Sequence, residues 1–191
     1  MRLLTIILLG AILSSCSTSK KDEKDDDFKR YLSSLETLQT PVTFDTKNGI
    51  YARSKDYDTT LYKKFKHAWA FGPYGKIFEN DSVVFTVDIT AGDVLVPLIM
   101  TFDQRGHKLD SLNPYEKAGS DMGYESYEYV VINDKKEIIV TDSTRTWDLN
   151  EKRDDIIEGS DRLTVDTVIY KVDDKGKFRK VVKSASSQHQ L

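Results

Sequence analysis

The chain has 191 residues, with 28 Lys and Arg against 31 Asp and Glu, for a formal net charge of −3. That length suits one domain or two small ones, and 39% hydrophobic residues are enough to bury a core, which excludes wholesale disorder. The acidic balance argues against a nucleic-acid binder. The single cysteine excludes an internal disulfide framework and a Cys-rich zinc site, and three histidines leave little for a His-built metal site.

The first residues read as an address. Arg2 is a short positive start, and the stretch from Leu3 to Leu13 is apolar apart from Thr5 and Gly10. At about 11 residues it is too short to span a bilayer as a helix and fits a secretory h-region. Leu13-Ser14-Ser15-Cys16 follows. This resembles the bacterial lipobox, in which a branched apolar residue and two small residues precede a cysteine. The resemblance implies lipidation of the Cys16 thiol and cleavage before it. Each buried methylene would contribute about 0.8 kcal/mol, so several acyl chains anchor firmly where one does not.

Residues 17–27 carry three Lys, five acidic side chains and nothing apolar, the composition of a solvated tether. Lys21-Asp22-Glu23 and Asp25-Asp26-Asp27 resemble the surface-export signal of Bacteroidetes lipoproteins. That resemblance implies an outer-membrane location with the chain facing the cell surface.

Phe28, Tyr31, Leu32, Leu35 and Leu38 make one apolar stripe at helical spacing, closed off by Pro41. Asp58 is placed to cap a short helix with Leu61, Phe65 and Trp69 on one side, and Gly72-Pro73-Tyr74-Gly75 reads as a turn. Strand patterns then take over. Val83, Phe85, Val87 and Ile89 alternate with Val84, Thr86 and Asp88, as in a half-buried strand. Residues 94–102 are continuously apolar, with Pro97 marking an edge, a bulge or a strand start at Leu98. Residues 107–112, 124–132, 137–147, 163–172 and 177–182 complete the strands. Turns at 103–106, 133–136 and 173–176 and a longer loop at 113–123 separate them. Short turns make sequence neighbours antiparallel partners, so about six to eight strands in a meander are expected.

Tyr74-Gly75-Lys76-Ile77, Pro97 leading to Thr101-Phe102-Asp103, Gly106, Asp110-Ser111-Leu112, Gly123-Tyr124, Asp142-Ser143-Thr144 and Tyr170-Lys171-Val172 with Gly176 resemble small uncharacterised lipoproteins of Bacteroidetes. The resemblance covers about half of the chain. It implies a fold and a location and carries no catalytic signature. Related chains often hold cysteines in the loop before the Tyr124 strand, whereas here no disulfide can pin that loop.

Tests for chemistry return little. The segment from Asp148 begins like a calcium loop, yet Arg153 and Gly159 stand where glycine and a bidentate glutamate are needed. His67, His107 and His189 form no ligand pair. No nucleophile elbow and no phosphate loop is present. Lys63, Lys64 and Lys66 with Phe65 and Trp69 form a small basic-aromatic patch that reads as a solvated helix face. Tyr115, Tyr124, Tyr127 and Tyr129 cluster around the long loop and its strand. Tyr127 and Tyr129 share a face and Tyr124 points the other way. If exposed, they form a stacking platform for a protein or glycan partner.

The expectation is a mainly β protein, an antiparallel meander closing as a sandwich or a barrel, with a short N-terminal helix. Residues 1–15 are the signal, 16–27 the lipidated Cys16 and tether, 28–183 the β-rich domain and 184–191 a flexible tail. The expected role is a lipid-anchored, non-enzymatic binding or accessory module of the outer membrane, with no cofactor, metal or nucleic acid. One alternative is a lipocalin-like carrier, which requires a closed sheet around a cavity on the order of several hundred Å³. Another is a carboxylate-based hydrolase, which requires two acids close together in a cleft.

Overall fold

The computed structural model describes residues 20–50, 56–79, 81–92 and 94–188. Cys16 and the apolar leader lie outside them. The chain builds three layers: two helices, a four-stranded antiparallel sheet and a six-stranded antiparallel sheet. Neither sheet closes into a barrel, and the two pack face to face as a sandwich.

The four-stranded sheet runs β2 (Ala70–Ile77), β3 (Val84–Ala91), β4 (Leu95–Phe102) and β5 (Lys108–Leu112) in chain order. The second sheet continues as a meander through β7 (Tyr124–Ile132), β8 (Glu137–Thr146), β9 (Arg162–Val172) and β10 (Phe178–Gln188). The short β6 (Gly119–Asp121) forms a hairpin onto β7, and β1 (Val42–Asp45) adds to the other end of β7, Val42 lying opposite Ile132. Phe85, Val87 and Ile89 of β3 face Val130, Ile132, Ile138 and Val140 of the six-stranded sheet across the main core.

The other face of β3 and β4 is covered as well. Helices α1 (Lys20–Ser33) and α2 (Thr59–Phe65) set Phe28, Tyr31, Leu32, Leu61, Tyr62 and Phe65 against Val84, Leu98, Met100 and Phe102. β3 is therefore buried on both sides, not half-buried as its alternation suggests. The α2 start is the expected one: the Asp58 carboxylate accepts from the amides of Thr60 and Leu61 at 2.9 and 3.0 Å. Gly106 is required where the β4–β5 turn presses on α1. Its φ is +75°, and a Cβ there would sit 2.6 Å from Phe28 Cγ.

Four expectations change. The α1 helix begins at Lys20, so residues 20–27 are helical rather than an irregular tether; Lys20, Lys21, Glu23 and Lys24 are good helix formers and continue the helix N-terminal to the Phe28 stripe. It also ends at Ser33, where the hydroxyls of Ser33 and Ser34 donate back to the carbonyls of Lys29 and Tyr31. Residues 72–75 are not a turn but the interior of β2, accommodated by two bulges on an edge strand. Residues 184–188 are paired with β9 instead of fraying. Pro97 sits within β4 opposite Ile89, and β5 ends opposite Ile99, so the strand is an edge there and the missing amide costs no ladder bond on that side.

Candidate functional site

Side-chain alternation divides the six-stranded sheet into two faces. On β7, Ser126, Glu128, Val130 and Ile132 point inward, and Glu125, Tyr127 and Tyr129 point outward. The outer face carries no further layer among the described residues. Tyr127 is 38% and Tyr129 45% exposed there. The Tyr127 hydroxyl donates to Glu125 at 2.6 Å, and the Lys47 ammonium stands 5.6 Å from its ring centre. Lys47, Glu125, Tyr127, Ser143, Arg145 and Leu163 line a shallow cleft of about 380 Å³. A second cleft of about 250 Å³ shares Glu125 and Tyr127 with the first and reaches Thr46, Ser120 and Ser126.

The four tyrosines therefore separate. Tyr127 and Tyr129 stand together on the open face. Tyr124 points inward, its hydroxyl donating to the Lys117 carbonyl at 2.7 Å. Tyr115 is buried in the main core at 7% exposure, and burial pushes its phenol well above the ordinary value. Tyr115 is thus corrected from surface platform to core residue, because the long loop folds over the inner face of the sheet. Lys21, Asp22 and Glu23 lie in the first turns of α1.

That loop covers a polar cluster the sequence reading missed. The inner face of β7, β8 and β9 changes from apolar at Val130, Ile138 and Val140 to polar at Ser126, Glu128, Asp142, Thr144 and Asp166. The Glu128 carboxylate accepts from three successive amides, those of Glu116, Lys117 and Ala118, at 2.9, 3.2 and 2.9 Å. The Lys117 ammonium lies 3.0 Å from Asp142 and 2.8 Å from Asp166. Burial raises the Glu128 pKa, the three amides oppose it, and Asp142 adds to the rise. Burial lowers the Lys117 pKa, but its bonds to Asp166 and Asp142 outweigh that and raise it. The signal was available: Glu128 has the inward parity of Val130, and Asp142 and Asp166 face each other in the β8–β9 register.

Three acids do come together, as a carboxylate hydrolase requires, but each is occupied by the loop. The adjoining cleft, about 30 Å³, admits water and no sugar ring. The cluster pins residues 113–118 as a disulfide otherwise would. The closed sheet that a lipocalin-like carrier requires is not formed: the two sheets are open, with apolar side chains packed between them. No three His, Cys, Asp or Glu of the described residues gather as a metal site, and no described helix is long and apolar enough to cross a membrane.

One other buried polar group stands out. Asp88 is fully buried beneath the helix layer with Tyr31, Tyr62 and Thr86. Its two oxygens and their three hydroxyls make no hydrogen bond of ordinary geometry. Burial pushes the Asp88 carboxyl up to about 7, against the weaker pull of the His67 amide, the Tyr62 hydroxyl and Lys66. Compared with known proteins, the chain matches no family pattern, no curated protein and no solved structure.

Proposed function

We propose that the chain is an outer-membrane lipoprotein, anchored through Cys16, that binds a glycan on the outer face of its six-stranded sheet. The observation that carries the binding reading is the pair Tyr127 and Tyr129 on an uncovered face, with Lys47, Glu125, Ser143 and Arg145 around the adjoining cleft. Exposed aromatic rings offer flat apolar area to the C–H face of a sugar, and the surrounding charged and hydroxyl groups bond its hydroxyls. A protein interface of standard size needs an apolar, well-packed centre. Directly opposite Tyr129 and Tyr127 on that face stand Thr141 and Ser143, with Thr167 beyond, and the apolar row Val131, Ile139 and Ile169 lies one step further along the strands, outside the cleft. The anchor reading rests on Leu13-Ser14-Ser15-Cys16 behind an apolar leader, and the resemblance to Bacteroidetes lipoproteins supports it.

Two measurements test this. Mass spectrometry of the native protein is expected to find Cys16 as the acylated N-terminal residue; an unmodified Cys16 overturns the anchor. Titration with soluble neutral and uronic polysaccharides is expected to show binding that Tyr127→Ala weakens about tenfold, the equivalent of one good aromatic contact, with thermal stability unchanged. Binding that Tyr127→Ala leaves intact, or no binding to any glycan, overturns the site.

A further inference from the structure

The basic-aromatic patch at the end of α2 has a use that its solvated-face reading leaves out. Trp69, in the link from α2 to β2, is 80% exposed, and Phe71 at the start of β2 is 52% exposed. Trp69 is the most exposed large apolar side chain among the described residues. Its position is fixed: its amide donates to His67 Nδ1 at 3.3 Å, and the two rings meet edge to face with centres 5.3 Å apart. The Lys66 ammonium donates to the carbonyls of Ala68 and Ala70, holding the same loop from beneath. Burial depresses the His67 pKa, and Lys108 and Lys66 depress it further, so positive charge converges beside the ring. Lys63 is exposed on α2 itself, while Lys64 pairs with Asp27 of α1.

We propose that the helix layer docks on an anionic lipid surface through the α2–β2 link, with Trp69 and Phe71 entering the interfacial zone and Lys63 and Lys108 facing the headgroups. A protruding Trp and Phe ringed by lysines has the composition of a bilayer-interface anchor. The fold makes a membrane the fitting partner. α1 is bound to α2 through Asp27 and through Phe28 against Phe65, 5.1 Å between ring centres. Its first residue, Lys20, follows Cys16 by four positions, at most about 14 Å of extended chain. A lipid on Cys16 therefore brings this layer nearest the bilayer, and that step rests on the anchor reading above. The layer order then turns the Tyr127 face away from the membrane, toward solvent.

The test uses residues 16–191 with Trp147→Phe, which leaves Trp69 as the only indole, in two forms: acylated on Cys16, and Cys16→Ser without lipid. With vesicles containing phosphatidylglycerol, Trp69 emission is expected to shift blue and to be quenched by brominated acyl chains in both forms. Pure phosphatidylcholine is expected to bind the unlipidated form at least tenfold more weakly. In that form Phe71→Ser should weaken binding, and Lys63→Gln and Lys108→Gln about fivefold each. Cosedimentation with the same vesicles reads the result without fluorescence if Trp147→Phe does not fold. Trp69 left in water while the acylated form is vesicle-bound overturns the patch and leaves the anchor standing. An unmodified native Cys16 with Trp69 buried by anionic vesicles does the reverse. Trp69 burial through self-association, with no vesicle binding, overturns the proposal.

Discussion

Asp88→Asn is expected to stabilise the protein by about 3 kcal/mol at pH 8 and to leave it near the parent's stability at pH 5. The cause is the placement of Asp88 under α1 and α2, its oxygens without regular hydrogen bonds and its carboxyl pushed up to about 7 from 3.8. Between those two values the folded state holds a proton that the unfolded chain has released. Unfolding therefore releases a proton, and stability falls as pH rises through that window. A shift of about three pKa units corresponds to up to about 4 kcal/mol, reduced in the variant because the buried amide also lacks good partners. Asp103, Glu137 and Asp173 have lowered pKa values and contribute the opposite slope, so the informative quantity is the difference between the two proteins. Urea denaturation of both from pH 5 to pH 8 gives it. Curves that stay parallel across that range would show that Asp88 is solvated.

The second large effect belongs to the loop clamp. Lys117→Met removes the cation that Asp142 and Asp166 share, both of them buried, and leaves two carboxylates facing each other near Glu128. Breaking a fully buried pair costs about 3–5 kcal/mol. Lys117 itself is 38% exposed, and solvent screening discounts the loss to about 2 kcal/mol. Hydrogen exchange at the amides of Glu116, Lys117 and Ala118 should quicken in the variant, because the loop loses its ion pairs to Asp142 and Asp166. Adding Asp142→Asn and Asp166→Asn to Lys117→Met should recover most of the stability, since the repulsion between the two facing carboxylates is then gone. An equal loss in the single and triple variants would mean that Lys117 acts through its alkyl stem instead.

Much of the fold was legible because short-range chemistry agreed with long-range packing. Alternation marked β3, β7, β8 and β9, and Asp58 marked the start of α2. The rest depended on contacts that no local pattern encodes. β1 has four residues and draws its partner from β7, far along the chain. Residues 184–188 are polar and become a strand only because β9 is long enough to pair with them. Burial of Asp88 could not be foreseen, since β3 reads as a strand with one wet face until α1 and α2 are laid over it. For the candidate site, parity along β7 was enough to put Tyr127 with Tyr129. It could not show that Tyr115 lies in the core, which is set by how residues 113–118 fold back on Glu128.

The pairing of β1 with β7 also sets an order of events. Val42 cannot meet Ile132 until the whole four-stranded sheet between them has been synthesised. Until then the β1 segment waits with its amides unpaired, while the intervening hairpins form from local contacts. Seating it is a slow, high-contact-order step. Because it lies just after α1, this late closure joins the first described residues to the six-stranded sheet, and a chain stalled before it would present an open strand edge to its neighbours.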